Sequence, residues 1–331
     1  KPVIPNTYIF PYKGEIQQFV VPNRVTSIQV NAVGAKGGTG AGGMAGGAGA
    51  NITSTLNVTP GQILYIVVGG APGQSHIAKY GFAGNGGIAD AASGYGGAGG
   101  GLSGVFSSST PSNSNALIVA GGGGGGSGTG GTTGYTGGAA LNAISGTAAN
   151  GLGGLSWPVS GRNQFGYGAS TTAAGVGGYA FDNAPAQHGL DGNNISGGAG
   201  GPGTIWQGAG GGGGGFFGGG GGAGGGGANG GGGGGSTKTT SGHNSFGTPN
   251  TTGDGSVSIT CLTNSSLVLH LDAGNPISYS GSGTTWNDLS GNGSHVTLMN
   301  TTFNSANGGS IVFDGTKIGR ASCRERVSSP V

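Results

Sequence analysis

The sequence predicts an all-β protein: a jelly-roll-like β-sandwich with an inserted bundle of polyglycine II helices, followed by the first strands of an incomplete second β-sandwich. Three observations support this prediction. Short β-branched and aromatic runs with turn-residue borders recur along the chain, and none has a helical period. Glycine supplies 89 of the 331 residues, where about 7% is usual. The hydrophobic share is 33% and the charged share only 6%, whereas disordered chains combine low hydrophobicity with high net charge.

Seven runs are predicted to be strands, and many short strands favour a sandwich. Within 26–35, the residues Ile28, Val30 and Ala32 share one face and are expected to point inward. The alternation within 15–21 is imperfect, which is typical of an edge strand. The predicted strands are 7–10, 15–21, 26–35, 51–58, 62–68, 116–120 and 255–260.

Three of these strands run directly into glycine, as in "NAVGAKGG", "YIVVGGAPG" and "LIVAGGGGGG". Glycine can adopt polyproline II geometry, and helices without Cβ atoms can pack closely enough to exchange backbone hydrogen bonds. An isolated helix of this kind should not form, because ordering costs roughly 1–2 kcal/mol per residue while a backbone hydrogen bond returns about 0.5–1.5 kcal/mol. A bundle whose ends are anchored by strands is therefore the form expected.

The longest glycine run, 208–235, is predicted to fold back on itself within such a bundle. Its turns are expected at Phe216-Phe217, Ala223 and Ala228-Asn229, where the glycine is interrupted. Collagen is excluded, because the chain has no overall Gly-X-Y period and only 13 prolines. A flexible glycine-rich tether over 208–235 is the alternative.

The order of strand and glycine stretches from about residue 7 to 260 resembles the glycine-rich extracellular domain of anaplastic lymphoma kinase and leukocyte tyrosine kinase. The stretches that carry the resemblance are "YIFPYKGEIQQFVVPNRVTSIQVNAVGAKGG", "QILYIVVGG", "NALIVAGGGGGG", the run at 210–236 and "GDGSVSI". The resemblance implies a β-sandwich carrying a hexagonal bundle of polyglycine II helices. The chain lacks the cysteines, the EGF-like module and the kinase of those receptors, so their signalling role is not implied. Modules of microbial and viral surface proteins, in which a strand runs directly into glycine, resemble this sequence more closely in style than the receptor domains do.

After Thr260 the glycine content falls, and residues 265–317 form a second predicted module. Its sequence resembles the opening of a laminin-G or concanavalin-like lectin jelly roll of viral and bacterial surface proteins. That resemblance implies glycan binding, with calcium as a cofactor only in a complete module; Asp272 and Asp288 are not assigned as ligands. Its expected core residues are Leu267, Leu269, Leu271, Trp286, Leu289, Val296, Leu298, Ile311 and Phe313. As a partial module, it is expected to pack loosely.

No motif predicts a catalytic, cofactor or metal site. "GTGAGG" at 38–43 matches a dinucleotide-binding pattern, but such matches arise by chance in a glycine-rich chain and no helix-forming residues follow. The carboxylates are isolated from one another along the sequence. The histidines lack metal-ligand spacing; they are His76, His188, His243, His270 and His295. The two cysteines, Cys261 and Cys323, cannot form a disulfide scaffold.

Aromatic side chains are the weak candidates for a binding surface, whose ligand residues are otherwise unknown. Aromatic residues anchor interfaces, but they also cap packed bundles, and the second role is favoured because of their large apolar area. The candidates are Phe216, Phe217, Trp206 and Trp157, with Tyr135 in a similar setting.

The last residues, 318–331, are expected to be an artefact. Back-translation of "IGRASCRERV", 318–327, resembles a common short-read sequencing adapter at every residue. The stretch holds three arginines and Glu325, and without it the eleven basic and nine acidic residues fall to eight of each. The body of the chain is therefore neutral, which argues against nucleic acid as a partner. No apolar run approaches the roughly 18 residues that predict a membrane span.

The expected function is that of a non-enzymatic surface adhesin or fibre-type structural protein. It would present a glycan-binding module on a rigid, protease-resistant glycine-rich module, on a cell or virion surface or in the extracellular space. Its expected partners are glycans or a cell-surface receptor, with a homo-oligomer as a further option. Two alternatives remain open: the ectodomain of a receptor or secreted signalling protein, and a self-assembling matrix or filament component.

Overall fold

A computed structural model of the chain describes residues 7–23, 25–89, 94–128, 136–140, 148–149, 165–170, 172–180, 187–203, 208–224, 231–239, 244–262 and 269–313. The chain divides into two compact units, Lys1–Leu262 and Thr263–Val331. Across these residues the regular structure is β-strand, with short 3-10 turns such as Ala306–Gly308 and no α-helix. The protein is therefore essentially all-β.

Eleven strands belong to the first unit: β1 Thr7–Pro11, β2 Gln17–Val20, β3 Ser27–Val33, β4 Asn51–Asn57, β5 Ile63–Val67, β6 Ser103–Phe106, β7 Ala116–Ala120, β8 Ala148–Ala149, β9 Thr237–Lys238, β10 Asn244–Phe246 and β11 Ser256–Cys261. All seven predicted strands are present, with bounds within two residues of those expected. The strands β6, β8, β9 and β10 were not predicted.

The strands form two antiparallel sheets. The five-stranded sheet has the order β1-β11-β3-β4-β10, and the six-stranded sheet has the order β2-β5-β6-β7-β9-β8. Strand β2 lies at the end of the six-stranded sheet, in agreement with the imperfect alternation of 15–21. The first strand of the unit, β1, pairs with its last strand, β11, with Thr7 opposite Thr260. The two ends of the unit are therefore held together in one sheet.

One apolar cluster takes side chains from both sheets. Ile28, Val30 and Ala32 of β3 have no exposed surface, as predicted, and they cluster with Leu64 and Ile66 of β5. A second cluster takes alternate residues of the same six-stranded sheet, Val67, Phe106 and Val119, together with Leu102 and Ile195. Because the two clusters use alternate residues of β5, β6 and β7, the middle of this sheet is covered on both faces. That explains why "ILYIVV" and "ALIVA" are continuously apolar whereas "SIQVNAV" alternates.

The glycine-rich segments between strands form a regular network of backbone hydrogen bonds. In 34–41, every third N–H group starting at Gly34 donates to a carbonyl of 43–50, and every third starting at Ala35 donates to 94–101. The remaining residues of this three-residue cycle are Lys36 and Thr39, which lie on the outside of the network. Three residues per cycle is the periodicity of a polyproline II helix. A β-strand, by comparison, repeats every two residues.

Segment 208–215 is completely ringed by other segments. Its N–H groups donate to three neighbours and its carbonyls accept from three more, and each neighbour is also hydrogen-bonded to the next around the ring. The six are, in order, 81–89, 94–101, 121–128, 231–236, 218–224 and 195–203. Segments 121–128 and 218–224 each have six such neighbours in the same way. The network therefore extends far beyond 208–235, to segments between 34 and 203.

The predicted turns within the long glycine run are correct in one place and wrong in another. The chain bends at Phe216 and Phe217, between segments 208–215 and 218–224. Ala223 was expected at a turn, but it is fully buried inside a segment whose flanking residues Gly222 and Gly224 both donate backbone hydrogen bonds. The network therefore accommodates a methyl group at position 223 without a turn. The pair Ala228-Asn229 lies outside the described residues.

Most glycines in the network have no room for a side chain. A Cβ atom on Gly124, Gly213 or Gly232 would lie well under 3.0 Å from a carbonyl carbon and oxygen of a neighbouring segment, closer than Cβ atoms approach in proteins. In each case the obstacle is backbone, which cannot rotate away. The absence of Cβ atoms is therefore what allows the segments to lie this close together.

The second unit contains two small antiparallel sheets. Strand β12, Thr285–Trp286, pairs with β13, Val296–Thr297, and β14, Thr301–Asn304, pairs with β15, Ser310–Phe313. Leu298 is buried as predicted, but Phe313 is 67% exposed, so its assignment to the core was wrong. Strands β14 and β15 form a sheet of two strands, and Phe313 lies on an exposed part of it. Leu267 lies outside the described residues.

Candidate functional site

Phe216 and Phe217 form the bend at which the glycine run meets the six-stranded sheet. Their rings contact edge to face, with centroids 5.0 Å apart, and both side chains are half-buried. Phe216 packs on the second apolar cluster, and its carbonyl accepts a hydrogen bond from the Asn113 side chain. The backbone of Phe216 and Phe217 is paired with Ser236, at the start of the strand that follows the bundle. Phe216 thus covers the end of an apolar cluster, and Phe217 extends the covering toward solvent.

Lys238 lies beside this bend. Its Nζ lies 4.6 Å from the centroid of the Phe216 ring and donates a hydrogen bond of 2.9 Å to the carbonyl of Ala116. Burial lowers the pKa of the Lys238 ammonium. The Oδ1 atom of Asn113 is buried without a hydrogen-bond partner. The ring contact and the hydrogen bond to Ala116 hold the Lys238 side chain against Phe216 and β7.

The other aromatic candidates of the sequence, Trp157, Trp206 and Tyr135, lie outside the described residues.

The "GTGAGG" stretch at 38–43 cannot cradle a phosphate in this arrangement. Phosphate loops work because several backbone N–H groups are free to point at the anion. Here the N–H groups of Gly38, Thr39, Gly40 and Ala41 all donate to carbonyls of neighbouring segments, at 2.7 to 3.0 Å. The pattern match is explained by the glycine network.

Asp288 organises a polar loop in the second unit. Its carboxylate accepts hydrogen bonds from the backbone N–H groups of His270, Ser290 and Ser294 and from the Ser290 hydroxyl. Burial alone raises the pKa of this carboxyl, but the hydrogen bonds outweigh it and hold the pKa below its usual value. The carboxylate is saturated by donors from the protein. Of the described residues, no group of three or more His, Cys, Asp or Glu is placed to hold a metal ion.

Titratable groups of the first unit are sparse and separated. Lys79 and Asp254 form an ion pair at 3.8 Å, at the surface. Cys261 is a buried free thiol whose pKa is raised by burial, which makes the reactive thiolate scarce. Within the described part of the chain, no helix is long and apolar enough to cross a membrane.

The glycine network has an outer face, which the sequence patterns did not predict. In two of its segments every third residue is exposed and the two residues between are buried glycines: Val176-Gly177-Gly178-Tyr179 and Asn85-Gly86-Gly87-Ile88. We define the outer face by Asn85, Ile88, Val176, Tyr179, Leu190, Ala199 and Pro202. Leu190 is 62% exposed and Ile88 is 53% exposed. The local X-Gly-Gly spacing was the available signal, although the chain as a whole has no such period.

No model of a known protein family matches the chain, and none of the curated proteins is significantly similar in sequence.

Proposed function

We propose that the protein is a non-enzymatic attachment protein of the adhesin or fibre type, whose first unit is a rigid presenting module. In this proposal the two sheets are a β-sandwich and the glycine segments are a polyglycine II bundle inserted between its strands. The supporting observation is that segments 121–128, 208–215 and 218–224 are each ringed by six hydrogen-bonded neighbours. Three residues per cycle and six neighbours are what hexagonal packing of polyglycine II helices requires.

Such a bundle suits presentation because its interior consists of backbone. The hydrogen bonds between 208–215 and its six neighbours join main-chain atoms, and buried polar groups that are paired stay in place. A protease needs a segment that opens into an extended strand, and opening one inner segment would break bonds to six others. The low charge, 6% of residues, also leaves few groups whose state changes with pH.

The second unit is proposed to supply the glycan contact, as the opening of a laminin-G or concanavalin-like module, at a cell or virion surface. The loop around Asp288 supports this proposal. Asp288 fixes the backbone of 288–294 through hydrogen bonds to Ser290 and Ser294, and a prearranged polar loop can present hydroxyl and amide groups to a sugar. The same loop has no spare carboxylate oxygen, so no cation is included in the proposal.

Hydrogen exchange tests the proposed bundle. We expect amides of 121–128 and 208–215 to exchange about 10³-fold or more slowly than in a random coil, to nearly the extent of β3. The exposed residue Gly73 provides an internal reference for fast exchange. Random-coil rates throughout 208–215 would establish the flexible tether in place of the bundle.

Glycan-array binding by the full chain tests the attachment role. We expect binding to at least one class of glycan, lost in Asp288→Ala, which removes the acceptor for four hydrogen bonds. Ile9→Ala, on the exposed surface of the first unit, is the matched control and should bind as the parent does. A folded chain that binds no glycan would contradict the proposal and leave the receptor-ectodomain and self-assembling alternatives, which capture of a protein ligand or growth of filaments would distinguish.

A further inference from the structure

We propose that Asn292, in the loop that Asp288 organises, deamidates spontaneously in the folded protein and thereby loosens that loop, whereas Asn85 in the glycine network is protected. Both asparagines are followed by glycine, as Asn85-Gly86 and Asn292-Gly293, so their local sequences favour the reaction alike. The difference is in what the N–H group of each glycine contacts. The reaction needs only the chain and water, and it does not depend on glycan binding.

Deamidation begins when the backbone nitrogen of the next residue attacks the side-chain amide carbon of asparagine. At this site a bond forms between the nitrogen of Gly293 and Cγ of Asn292. The attacking nitrogen loses its proton to solvent, and Nδ2 takes up a proton and leaves as ammonia, which closes a cyclic imide. Water then opens the imide on either side of its nitrogen, giving aspartate or isoaspartate. Glycine favours the attack because it has no side chain beside the nitrogen.

The glycine network blocks this attack at Asn85. The N–H of Gly86 is buried and donates a hydrogen bond of 2.8 Å to the carbonyl of His76, and Oδ1 of Asn85 accepts one of 2.8 Å from the N–H of Ala78. The N–H groups of the residues just before and just after this pair donate to segment 208–215. The nitrogen of Gly86 can therefore reach the side chain only after several backbone bonds have opened together.

The Asp-Gly pairs of the first unit are held in the same way. Aspartate before glycine can form the same imide, so these pairs show how general the protection is. The N–H of Gly192, after Asp191, donates to Gly175, and that of Gly255, after Asp254, donates to Gly69, both at 2.8 Å. In each pair the attacking nitrogen is engaged by the carbonyl of another segment.

Asn292 lies in a different setting. Gly293 is exposed, and its N–H has no hydrogen-bond acceptor within the part of the chain that the structure describes. The Nδ2 atom of Asn292 donates to the hydroxyl of Ser290 in the same loop, at 3.0 Å. A bond of this kind at the surface breaks in a local fluctuation, without opening a strand or a bundle segment. The nitrogen of Gly293 is thus available to the side chain in the folded state.

The products alter the loop that Asp288 organises. Its carboxylate accepts from the N–H of Ser290 at 2.7 Å and from that of Ser294 at 3.0 Å, on either side of Asn292. Isoaspartate places an extra carbon in the main chain between these two donors, so the carboxylate can no longer hold both. Aspartate instead adds a negative charge to a loop that already contains the Asp288 carboxylate, and like charges repel. We expect the N–H of Ser294 to be released.

Peptide mapping of the full chain by mass spectrometry, after incubation at mildly alkaline pH, tests the proposal. In the folded chain Asn292 should deamidate at least about a hundredfold faster than Asn85, equivalent to about 2.7 kcal/mol in the cost of exposing the glycine nitrogen. In concentrated urea the two rates should agree within about threefold, because both asparagines precede glycine in an unfolded chain. Equal rates in the folded chain would overturn the proposal, as would a rate at Asn292 that rises about a hundredfold in urea.

Asn292→Gln is the matched control. The longer side chain keeps the amide but closes its ring far more slowly, so the peptide that contains the loop should show little gain in mass. This result also separates Asn292 from Asn287 and Asn300 nearby in the sequence. Hydrogen exchange at Ser294 should become about tenfold faster in the incubated parent and stay unchanged in the incubated variant. Exchange at Ser294 that is the same in fresh and deamidated parent would overturn the loosening of the loop.

Discussion

The apolar core and the glycine bundle of the first unit achieve close packing by opposite means. In the core, large side chains from both sheets, such as Ile28, Leu64 and Ile118, pack in one cluster, and none of their surface is exposed. In the bundle, the backbone itself fills the space, and a Cβ on most inner glycines would overlap a carbonyl. Substitutions that remove atoms should therefore destabilise the core, whereas substitutions that add atoms should destabilise the bundle.

The two regions also depend on each other. Ordering glycine costs more conformational entropy than ordering any other residue, so hydrogen bonds alone would barely hold the bundle. Several segments, however, begin or end on a strand: β3 leads into 34–41, β7 into 121–128, and 231–236 into β9. The core fixes these ends and reduces the entropy that each segment still has to lose. In return, the bundle contributes Phe82, Ile195 and Phe216 to the cluster on the outer side of the six-stranded sheet.

The largest expected effect is that of a branched side chain inside the bundle. In Gly232→Val, the Cβ would overlap the carbonyl of Gly211, and segment 208–215 would have to move away to admit it. We expect a loss of more than about 4 kcal/mol in the free energy of unfolding, at the extreme of single substitutions. Urea denaturation followed by circular dichroism measures it, and Gly220→Val, which would overlap Val176, should behave alike.

Gly253→Ala is the control for that substitution. Gly253 has no atom within 4 Å of the position of a Cβ, although its carbonyl accepts a hydrogen bond from Lys36. Its replacement should change the unfolding free energy by no more than about 0.5 kcal/mol. Equal effects of the Gly232 and Gly253 substitutions would show that the bundle is not closely packed.

A smaller effect is expected when one methylene is removed from the core. Ile118→Val should cost about 0.5–1.5 kcal/mol, because the neighbours of Ile118 relax only partly into the space left. Gly232→Ala adds one carbon to the bundle and should cost more than this in the same urea titration. A smaller loss of unfolding free energy for Gly232→Ala than for Ile118→Val would contradict the claim that the bundle is more sensitive to added atoms than the core is to removed ones.

The sequence predicted the strands better than it predicted the extent of the bundle. Strands such as β3 and β7 follow from local runs of β-branched residues, and their bounds are within two residues of those expected. Strand β6, "SGVF", was missed because it is short and contains glycine, and its pairing is decided by β5 and β7 on either side. The outer segments were missed because their X-Gly-Gly pattern lasts only two or three cycles and is lost in the composition of the whole chain.

The errors over Ala223 and Phe313 have a common cause. Any non-glycine residue within a glycine run suggests a turn, yet whether a methyl group fits inside the bundle depends on which segment lies opposite. Phe313 looked like a core residue by alternation, but a face is buried only if another layer covers it. Sequence patterns specify which residues share a face, and the long-range pairing decides what meets that face.

The smallest expected effect is at Lys238, where core and bundle meet. Lys238→Met keeps the apolar stem that packs near Phe216 and removes the charge, so the unfolding free energy at pH 7 should change by less than about 1 kcal/mol. Burial lowers the pKa of Lys238 in the folded protein, while the unfolded chain retains about 10.4. Between these values the unfolded state binds more protons, so the stability of the parent should rise with pH across that window. The variant should lose this rise, which urea titrations between pH 7 and 10.5 would measure. A drop well above 1 kcal/mol at pH 7 would instead mean that the hydrogen bond to Ala116 and the contact with the Phe216 ring hold the two regions together.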